Sequence, residues 1–150
     1  MPRTTFTTKH FLACLSVSWE GTPGTKTRRT LEGVGYTLEM PPGAEPPFEL
    51  DELWLFARFY RKGAVGRDPR MRLVVTRLTG SRPIRFRPVD LGSVSMSHVE
   101  GVIDIAWPIR PFSIVLGGRY EIRLQTVRQT FRGLKWKTVG REYLFIEERR

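Results

Sequence analysis

Residues 112–126 read FSIVLGGRYEIRLQT, and the order of apolar and polar side chains in them is regular. Apolar side chains take every second position on both sides of the glycine pair at 117 and 118, namely Phe112, Ile114, Leu116, Tyr120, Ile122 and Leu124. A period of two places such side chains on one face of a half-buried β-strand. The pattern therefore predicts a strand on each side of the glycines.

The same two-residue period recurs along the rest of the chain. It is found in the ranges Lys9–Trp19, Val34–Met40, Leu50–Tyr60, Arg70–Leu78, Pro83–Pro88, Val102–Trp107 and Arg128–Glu148. The last range predicts two strands joined by a turn at Arg132–Gly133. No window of about eleven residues carries an apolar stripe at helical spacing. We therefore expect an all-β chain, with one domain over residues 1–150 that forms an antiparallel β-sandwich of seven to nine strands.

The segment Leu50–Tyr60 is apolar on both faces. One face holds Leu53, Leu55, Ala57 and Phe59, and the other holds Trp54, Phe56 and Tyr60. A helix over Glu49–Arg61 is the competing interpretation, but the aromatic, alternating content favours a strand. Strands that are apolar on both faces are usually central, or are covered by a loop or a partner. The second face is thus a candidate partner-binding surface.

The charge of the chain is strongly basic and unevenly distributed. Its 25 Lys and Arg against 15 Asp and Glu give a net charge of +10. Residues 1–60 hold six basic and seven acidic groups, so the excess lies in residues 61–150. Such a field attracts polyanions. The alternative is a solvated surface whose arginines reflect the codon usage of a GC-rich genome. Arg codons can be GC-rich while Asn codons are AT-rich, and the chain contains no asparagine.

Two basic regions are candidate anion-binding sites. In the first, aromatic rings lie among cations, and its residues are Arg128, Phe131, Arg132, Lys135, Trp136 and Lys137. Cations beside exposed rings suit single-stranded nucleic acid, because phosphates meet the charges and bases stack on the rings. The alternative is a protruding hairpin whose rings reach back to the core. The second region runs from Arg58 to Arg87, and it would form a positive sheet face if the strands of Arg72, Arg85 and Arg87 pair.

The residues of common catalytic and metal sites are present without the required arrangement. His10 and Cys14 are four residues apart, which on a strand separates them by more than about 13 Å. Ser97 and His98 are neighbours and would point to opposite faces of a strand. We therefore expect no catalytic residue, no metal site and no cofactor. The remaining enzyme hypothesis rests on the acidic cluster Glu45, Glu49, Asp51 and Glu52, which lies around two prolines.

The single cysteine, Cys14, cannot form an internal disulfide, so we expect a cytoplasmic protein rather than a disulfide-stapled secreted one. A membrane-spanning helix needs about 20 continuous apolar residues, and the sequence has no such run. Phe11–Val17 follows two basic residues and has the alternative interpretation of a short signal-peptide core. Its alternation favours a strand.

Three segments resemble bacterial immunoglobulin-like β-sandwich proteins of unknown function. These are the opening strand Phe11–Trp19, the acidic and then aromatic segment Phe48–Tyr60, and the stretch Pro111–Leu124. The last is similar to a strand pair of immunoglobulin-like domains in which glycine forms the tight turn and tyrosine packs at the end of the sandwich. The Cys–Trp–Cys pattern of true immunoglobulin domains is missing. The resemblance implies a fold and no catalytic residues.

These observations favour a non-enzymatic module that binds another protein or associates with itself. The alternative is a protein that binds single-stranded nucleic acid through the basic, aromatic-containing hairpin. An enzyme that uses the acidic cluster is the third hypothesis.

Overall fold

The chain is an all-β protein in the computed structural model, which describes residues 5–14, 16–20, 28–32, 37–39, 48–50, 53–62, 68–94, 101–109, 112–114 and 117–147. These ranges contain thirteen strands and no helix. The strands are β1 (Thr5–Cys14), β2 (Ser16–Glu20), β3 (Arg28–Glu32), β4 (Thr37–Glu39), β5 (Phe48–Leu50), β6 (Leu53–Lys62), β7 (Arg70–Arg77), β8 (Ile84–Arg85), β9 (Val89–Ser93), β10 (Gly101–Ile109), β11 (Phe112–Ile114), β12 (Gly118–Thr130) and β13 (Gly133–Glu147). In the described ranges no helix is long and apolar enough to cross a membrane.

Two sheets make up most of the described structure. The large sheet has the strand order β4-β13-β12-β7-β8, with β9 also paired to β7, and the small sheet has the order β1-β6-β10. The remaining described strands form two pairs, β2–β3 and β5–β11. All pairings are antiparallel except that of β4 with β13. The expected antiparallel all-β class is confirmed, although the edge strand β4 is parallel to its neighbour.

The inward faces of the two sheets form one apolar core. The small sheet contributes Phe11, Ala13, Leu53, Leu55, Ala57 and Phe59, and the large sheet contributes Met71, Leu73, Val75, Tyr120, Ile122, Leu124, Leu144 and Ile146. Burial of this apolar surface is the main favourable contribution to folding. The alternation expected after Gly118 is confirmed, because the odd-numbered side chains Arg119, Glu121 and Arg123 lie on the opposite side from the core.

The apolar segment around Leu53–Lys62 is strand β6, so the helix interpretation is wrong. It lies between β1 and β10 in the small sheet. Its inward side chains lie in the core and Phe56 on its other face is only 4% exposed, so apolar groups are buried on both faces. The sequence interpretation of Lys9–Trp19 as one strand also needs correction, since β1 ends at Cys14 and β2 pairs with β3 in a separate sheet.

β-bulges change which side chains face the core in two strands. The pairing of β1 with β6 shifts at Lys9, so Phe6 and Phe11 both contribute inward rings although their numbers differ in parity. The pairing of β12 with β13 shifts at Val139, because Leu124 pairs with Gly140 and Gln125 pairs with Thr138. As a result, the outward positions of β13 are odd-numbered after the bulge and even-numbered before it.

A close backbone approach defines the start of β12. Gly118 has a φ of +127°, a conformation that favours glycine. A Cβ atom added there would lie 2.6 Å from the Thr79 Oγ1 atom and 2.8 Å from its Cβ atom. The Arg119 backbone N–H donates to this same Thr79 hydroxyl at 2.8 Å. Glycine at this position therefore permits both the positive φ and the close approach of Thr79.

One carboxyl group is buried on the inward side of β13. Glu142 pairs with Ile122, and its Oε1 atom accepts a hydrogen bond from the Tyr143 backbone N–H at 2.9 Å. Burial raises the pKa of Glu142, and this hydrogen bond opposes the rise. The charged form of Glu142 is therefore disfavoured in the folded protein.

Candidate nucleic-acid interface

The basic, aromatic-containing segment forms the end of the β12–β13 hairpin. The turn consists of Phe131 and Arg132, so the expected turn at Arg132–Gly133 is displaced by one residue. Gly133 closes the turn with a φ of +110°. The Thr130 hydroxyl accepts a hydrogen bond from the Arg132 backbone N–H at 3.3 Å and donates one to the Gly133 carbonyl at 2.9 Å. Phe131 thus lies at the tip of the hairpin.

The six residues expected to bind nucleic acid do not share one surface. Phe131 is fully exposed, with a relative accessibility of 111%, so it does not reach back to the core. Trp136 is half-buried on the outer side of the large sheet, and Lys135 and Lys137 occupy the alternate positions that face the other way. Arg132 is exposed in the turn. The side chain of Arg128 lies outside the described part of the chain.

Trp136 belongs to a small polar network on the outer side of the large sheet. The guanidinium carbon of Arg72 lies 4.1 Å from the centroid of the Trp136 ring. The Arg72 Nε–H donates to the Gln125 side-chain carbonyl at 2.9 Å, and the Gln125 amide donates to the Thr138 hydroxyl at 3.3 Å. These bonds orient the guanidinium, and a cation over an indole ring is a favourable contact.

Arg72 and Trp136 lie among further arginine and aromatic side chains on this side of the sheet. We call this surface the basic face, and its residues are Arg72, Arg85, Arg119, Arg123, Arg141, Trp136, Tyr143, Phe145 and Glu121. Their register positions all lie opposite the core side, since paired residues of neighbouring strands point to the same side of a sheet. The face therefore combines five guanidinium groups, three aromatic rings and one carboxylate.

The charges of the basic face are only partly balanced. Glu121 contacts the Nε atoms of Arg123 at 3.2 Å and Arg141 at 3.4 Å. The pKa of Arg72 is lowered by burial and by the positive charges of Arg85 and Arg123. The single carboxylate of Glu121 therefore has to balance the charge of two guanidinium groups. Arg72, in turn, lies near the positive charges of Arg85 and Arg123. An added anion would relieve this repulsion.

At one rim of the face Arg70 and Asp90 form an ion pair that balances their charges, because Arg70 donates to the Asp90 carboxylate at 2.7 Å. At the other rim Glu147 is exposed. The excess positive charge thus lies in the middle of the sheet rather than at these rims.

Rings and guanidinium groups also meet at the other end of the face. The guanidinium carbon of Arg119 lies 4.5 Å from the centroid of the Tyr143 ring. Phe145, which pairs with Arg119, is 44% exposed. An arginine thus stands over a tryptophan at one end and over a tyrosine at the other. The two pairs lie about 20 Å apart, estimated from six residue steps along β12 between Arg119 and Gln125, the residue that pairs with Arg72.

A shallow, open cavity of 420 Å³ lies beside the hairpin and is lined by Thr130, Lys135, Trp136 and Lys137.

The candidate partner-binding residues of β6 differ in exposure. Phe56 is only 4% exposed, Trp54 is half-buried and Tyr60 is 37% exposed. Phe56 pairs with Leu12 of β1 and with Ala106 of β10, and the Arg58 guanidinium stands 6.0 Å from its ring. Arg58 is held by two bonds to the Asp104 carboxylate, at 2.8 and 3.0 Å. The expectation that Phe56 is available to a partner is therefore wrong.

Most residues of the acidic cluster lie outside the described part of the chain. Glu45, Asp51 and Glu52 are not described, and of Glu49 only the backbone is, in β5. Ser97 and His98 also lie outside it. Within the described ranges no group of three or more His, Cys, Asp or Glu residues could hold a metal ion.

The candidate metal ligands His10 and Cys14 have different surroundings. His10 is exposed on β1. Cys14 is buried and free, and its thiol donates to the Trp54 carbonyl at 3.7 Å. Burial raises the pKa of the Cys14 thiol, which keeps it protonated and unreactive.

Neither a scan of protein-family models nor a search of curated proteins finds a match to this chain.

Six residues of the basic face were not predicted from the sequence: Arg119, Glu121, Arg123, Arg141, Tyr143 and Phe145. A signal for three of them was available. Arg119, Glu121 and Arg123 alternate with core positions in a strand that the pattern predicts. The pairing of the Arg72 and Arg85 strands, which the sequence left open, is present in the structure, because Arg85 lies opposite Thr76 on β7. Arg87 follows β8 and lies outside any strand.

Proposed function

We propose that this protein is a non-enzymatic module that binds single-stranded nucleic acid along the basic face. The observation that carries the proposal is the alternation of arginines and aromatic rings on one solvent-facing side of one sheet. Arg72 over Trp136 and Arg119 over Tyr143 are its two anchor pairs. Arg123 and Arg141 lie between them and share a single carboxylate.

This composition suits an unpaired strand better than a duplex. In a single strand the bases present their faces to aromatic side chains while the phosphates remain available to guanidinium groups. A duplex hides its base faces and would engage the arginines alone. Stacking is also tolerant of base identity, so we expect little sequence preference. The distance between the two anchor pairs, about 20 Å, accommodates several nucleotides.

The proposal includes a fold type and a compartment. We place the chain among immunoglobulin-like sandwiches of bacterial origin and in the cytoplasm, as one domain. Support for the fold type comes from the resemblance around Gly118 and from the burial of Tyr120, whose ring stacks on Phe86 at 6.1 Å. Support for the compartment comes from the single cysteine.

The test is fluorescence anisotropy with a labelled deoxythymidine oligonucleotide of about ten nucleotides, within the usual site-size range. Trp136→Leu removes one stacking ring, and we expect the affinity to fall by about 5- to 100-fold, which corresponds to one stacked base. The matched control is Trp54→Leu, because Trp54 is also half-buried but lies on the small sheet. We expect its affinity to equal that of the unmodified protein.

Three results would contradict the proposal. The first is no binding of the oligonucleotide at low salt. The second is an equal loss of affinity in Trp136→Leu and Trp54→Leu. The third is a duplex of the same length that binds as tightly as the single strand, because the arginines would then act without the rings.

A specific observation favours protein binding or self-association as a second candidate. Tyr60 and Val102 pair across β6 and β10, and they are 37% and 63% exposed. Together they leave apolar surface on the outer side of the small sheet. Light scattering after size-exclusion chromatography tests this candidate. We expect a dimer that Val102→Lys dissociates, and a strict monomer at high concentration would count against it.

A further inference from the structure

The tip of the β12–β13 hairpin carries apolar side chains in water. Phe131 is fully exposed and Leu134 is 69% exposed, which makes them the two most exposed large apolar residues of the described chain. Both lie at the end of the hairpin, beyond the last β7 residue that pairs with β12, which is Met71 opposite Thr126. They therefore lie outside the layers that bury the core.

Cations surround this apolar tip. Arg132 lies in the turn, and Lys135 and Lys137 follow on β13, all three exposed. The sequence from 126 to 138, TVRQTFRGLKWKT, contains no acidic residue. An apolar tip within a ring of positive charge matches the interface of an anionic membrane, where acyl chains accept the apolar groups and headgroups accept the cations.

We infer that this hairpin tip inserts Phe131 and Leu134 into the interface of an anionic lipid bilayer, as a reversible peripheral anchor. The inference goes beyond nucleic-acid binding and rests on the exposed apolar tip rather than on the basic face. Leu134 has no π-face on which a base could stack, so a nucleic acid would leave it in water. A bilayer buries both side chains at once, because insertion needs only a narrow protrusion.

The position of Trp136 fits the same orientation. It follows Gly133 by three strand residues, about 10 Å along the hairpin. Interfacial segments penetrate by about 5–10 Å, so Trp136 would lie at the level of the headgroups. Tryptophan is enriched at that level, because its ring is apolar and its N–H group is polar.

The test is co-sedimentation with vesicles of phosphatidylcholine alone and of equal parts phosphatidylcholine and phosphatidylglycerol. We expect binding to the anionic vesicles, with about a 10-fold or larger loss of affinity in the Phe131→Ser, Leu134→Ser double variant. The matched control is Ile84→Ser with Val89→Ser, because these apolar side chains are also exposed but lie away from the tip. The control should bind vesicles like the unmodified protein.

The contribution of charge is measured separately. Arg132→Gln with Lys135→Gln should weaken binding to anionic vesicles by about 5-fold for each charge removed. The tip side chains are exposed, so the folded state should survive these changes, and circular dichroism with an unchanged urea midpoint would verify it.

The outcomes separate the tip from the basic face. The inference stands if the tip variants lose vesicle binding and keep oligonucleotide affinity, whether or not the basic face binds nucleic acid. It fails if neither vesicle type binds, or if the double serine variant binds anionic vesicles unchanged. It also fails if Phe131→Ser, Leu134→Ser abolishes oligonucleotide binding instead, because the tip would then be a nucleic-acid contact.

Discussion

The dependence of oligonucleotide binding on salt measures how many arginines of the basic face meet phosphates. Each neutralised phosphate releases counterions, so the logarithm of the affinity falls linearly with the logarithm of the salt concentration. The perturbation is Arg141→Gln. Arg141 is half exposed and lies between the two anchor pairs, and it shares Glu121 with Arg123.

The expected magnitude follows from the five arginines of the face. For a single strand the slope is about −0.7 per phosphate contact, so five contacts give about −3.5. An increase in salt from about 50 to about 200 mM then lowers the affinity about 100-fold. With four contacts the slope becomes about −2.8, and the same increase lowers the affinity about 50-fold.

The assay is a series of anisotropy titrations of one oligonucleotide at several salt concentrations. The control is Lys62→Gln, which removes an exposed cation at the end of β6 on the small sheet. We expect the control to keep the slope of the unmodified protein. The reasoning is refuted if Arg141→Gln leaves the slope unchanged, or if Lys62→Gln reduces it by the same amount.

Two further predictions concern stability. Gly118→Ala should lower the free energy of unfolding by about 3 kcal/mol, because it adds a close contact to an unfavourable positive φ. Gly133→Ala, where the φ is +110° and no atom lies within 4 Å, should cost about 1 kcal/mol, and equal urea midpoints for the two variants would contradict this. Glu142→Gln should raise stability at about pH 7 and not at about pH 4, because the raised pKa of the buried carboxyl costs stability only as the pH rises past its ordinary value. A gain that is the same at both pH values would show that the charge of Glu142 is not its cause.

Much of the architecture could be predicted from local patterns. The alternation of Tyr120, Ile122 and Leu124 with charged residues indicated a half-buried strand, and all three side chains are buried in the core. The apolar run of β6 indicated a central strand, and the structure places it between β1 and β10. Such predictions succeed because the side-chain period of a strand is a local property of the backbone.

Predictions of whether a single side chain is exposed, and of which face it lies on, failed where the answer depends on a bulge or on a strand distant in sequence. The sequence could not tell whether Phe56 is open to a partner, since its burial depends on the neighbouring strands β1 and β10, where it pairs with Leu12 and Ala106. It also left open whether Trp136 and Phe131 form one platform. That question depends on the turn, which consists of Phe131 and Arg132 and not of the predicted Arg132 and Gly133.

The amino-acid sequence alone determined that this is a basic, all-β chain with alternating strands, because composition and side-chain period require no knowledge of strand pairing. Only the tertiary structure decided which charges and rings share a surface. The bulge at Val139 shifts the register of β13, so Trp136 faces outward beside Arg72. A register shift of one residue moves every later side chain to the other face of a sheet. Such a shift arises from pairing with another strand, which one strand's sequence does not encode.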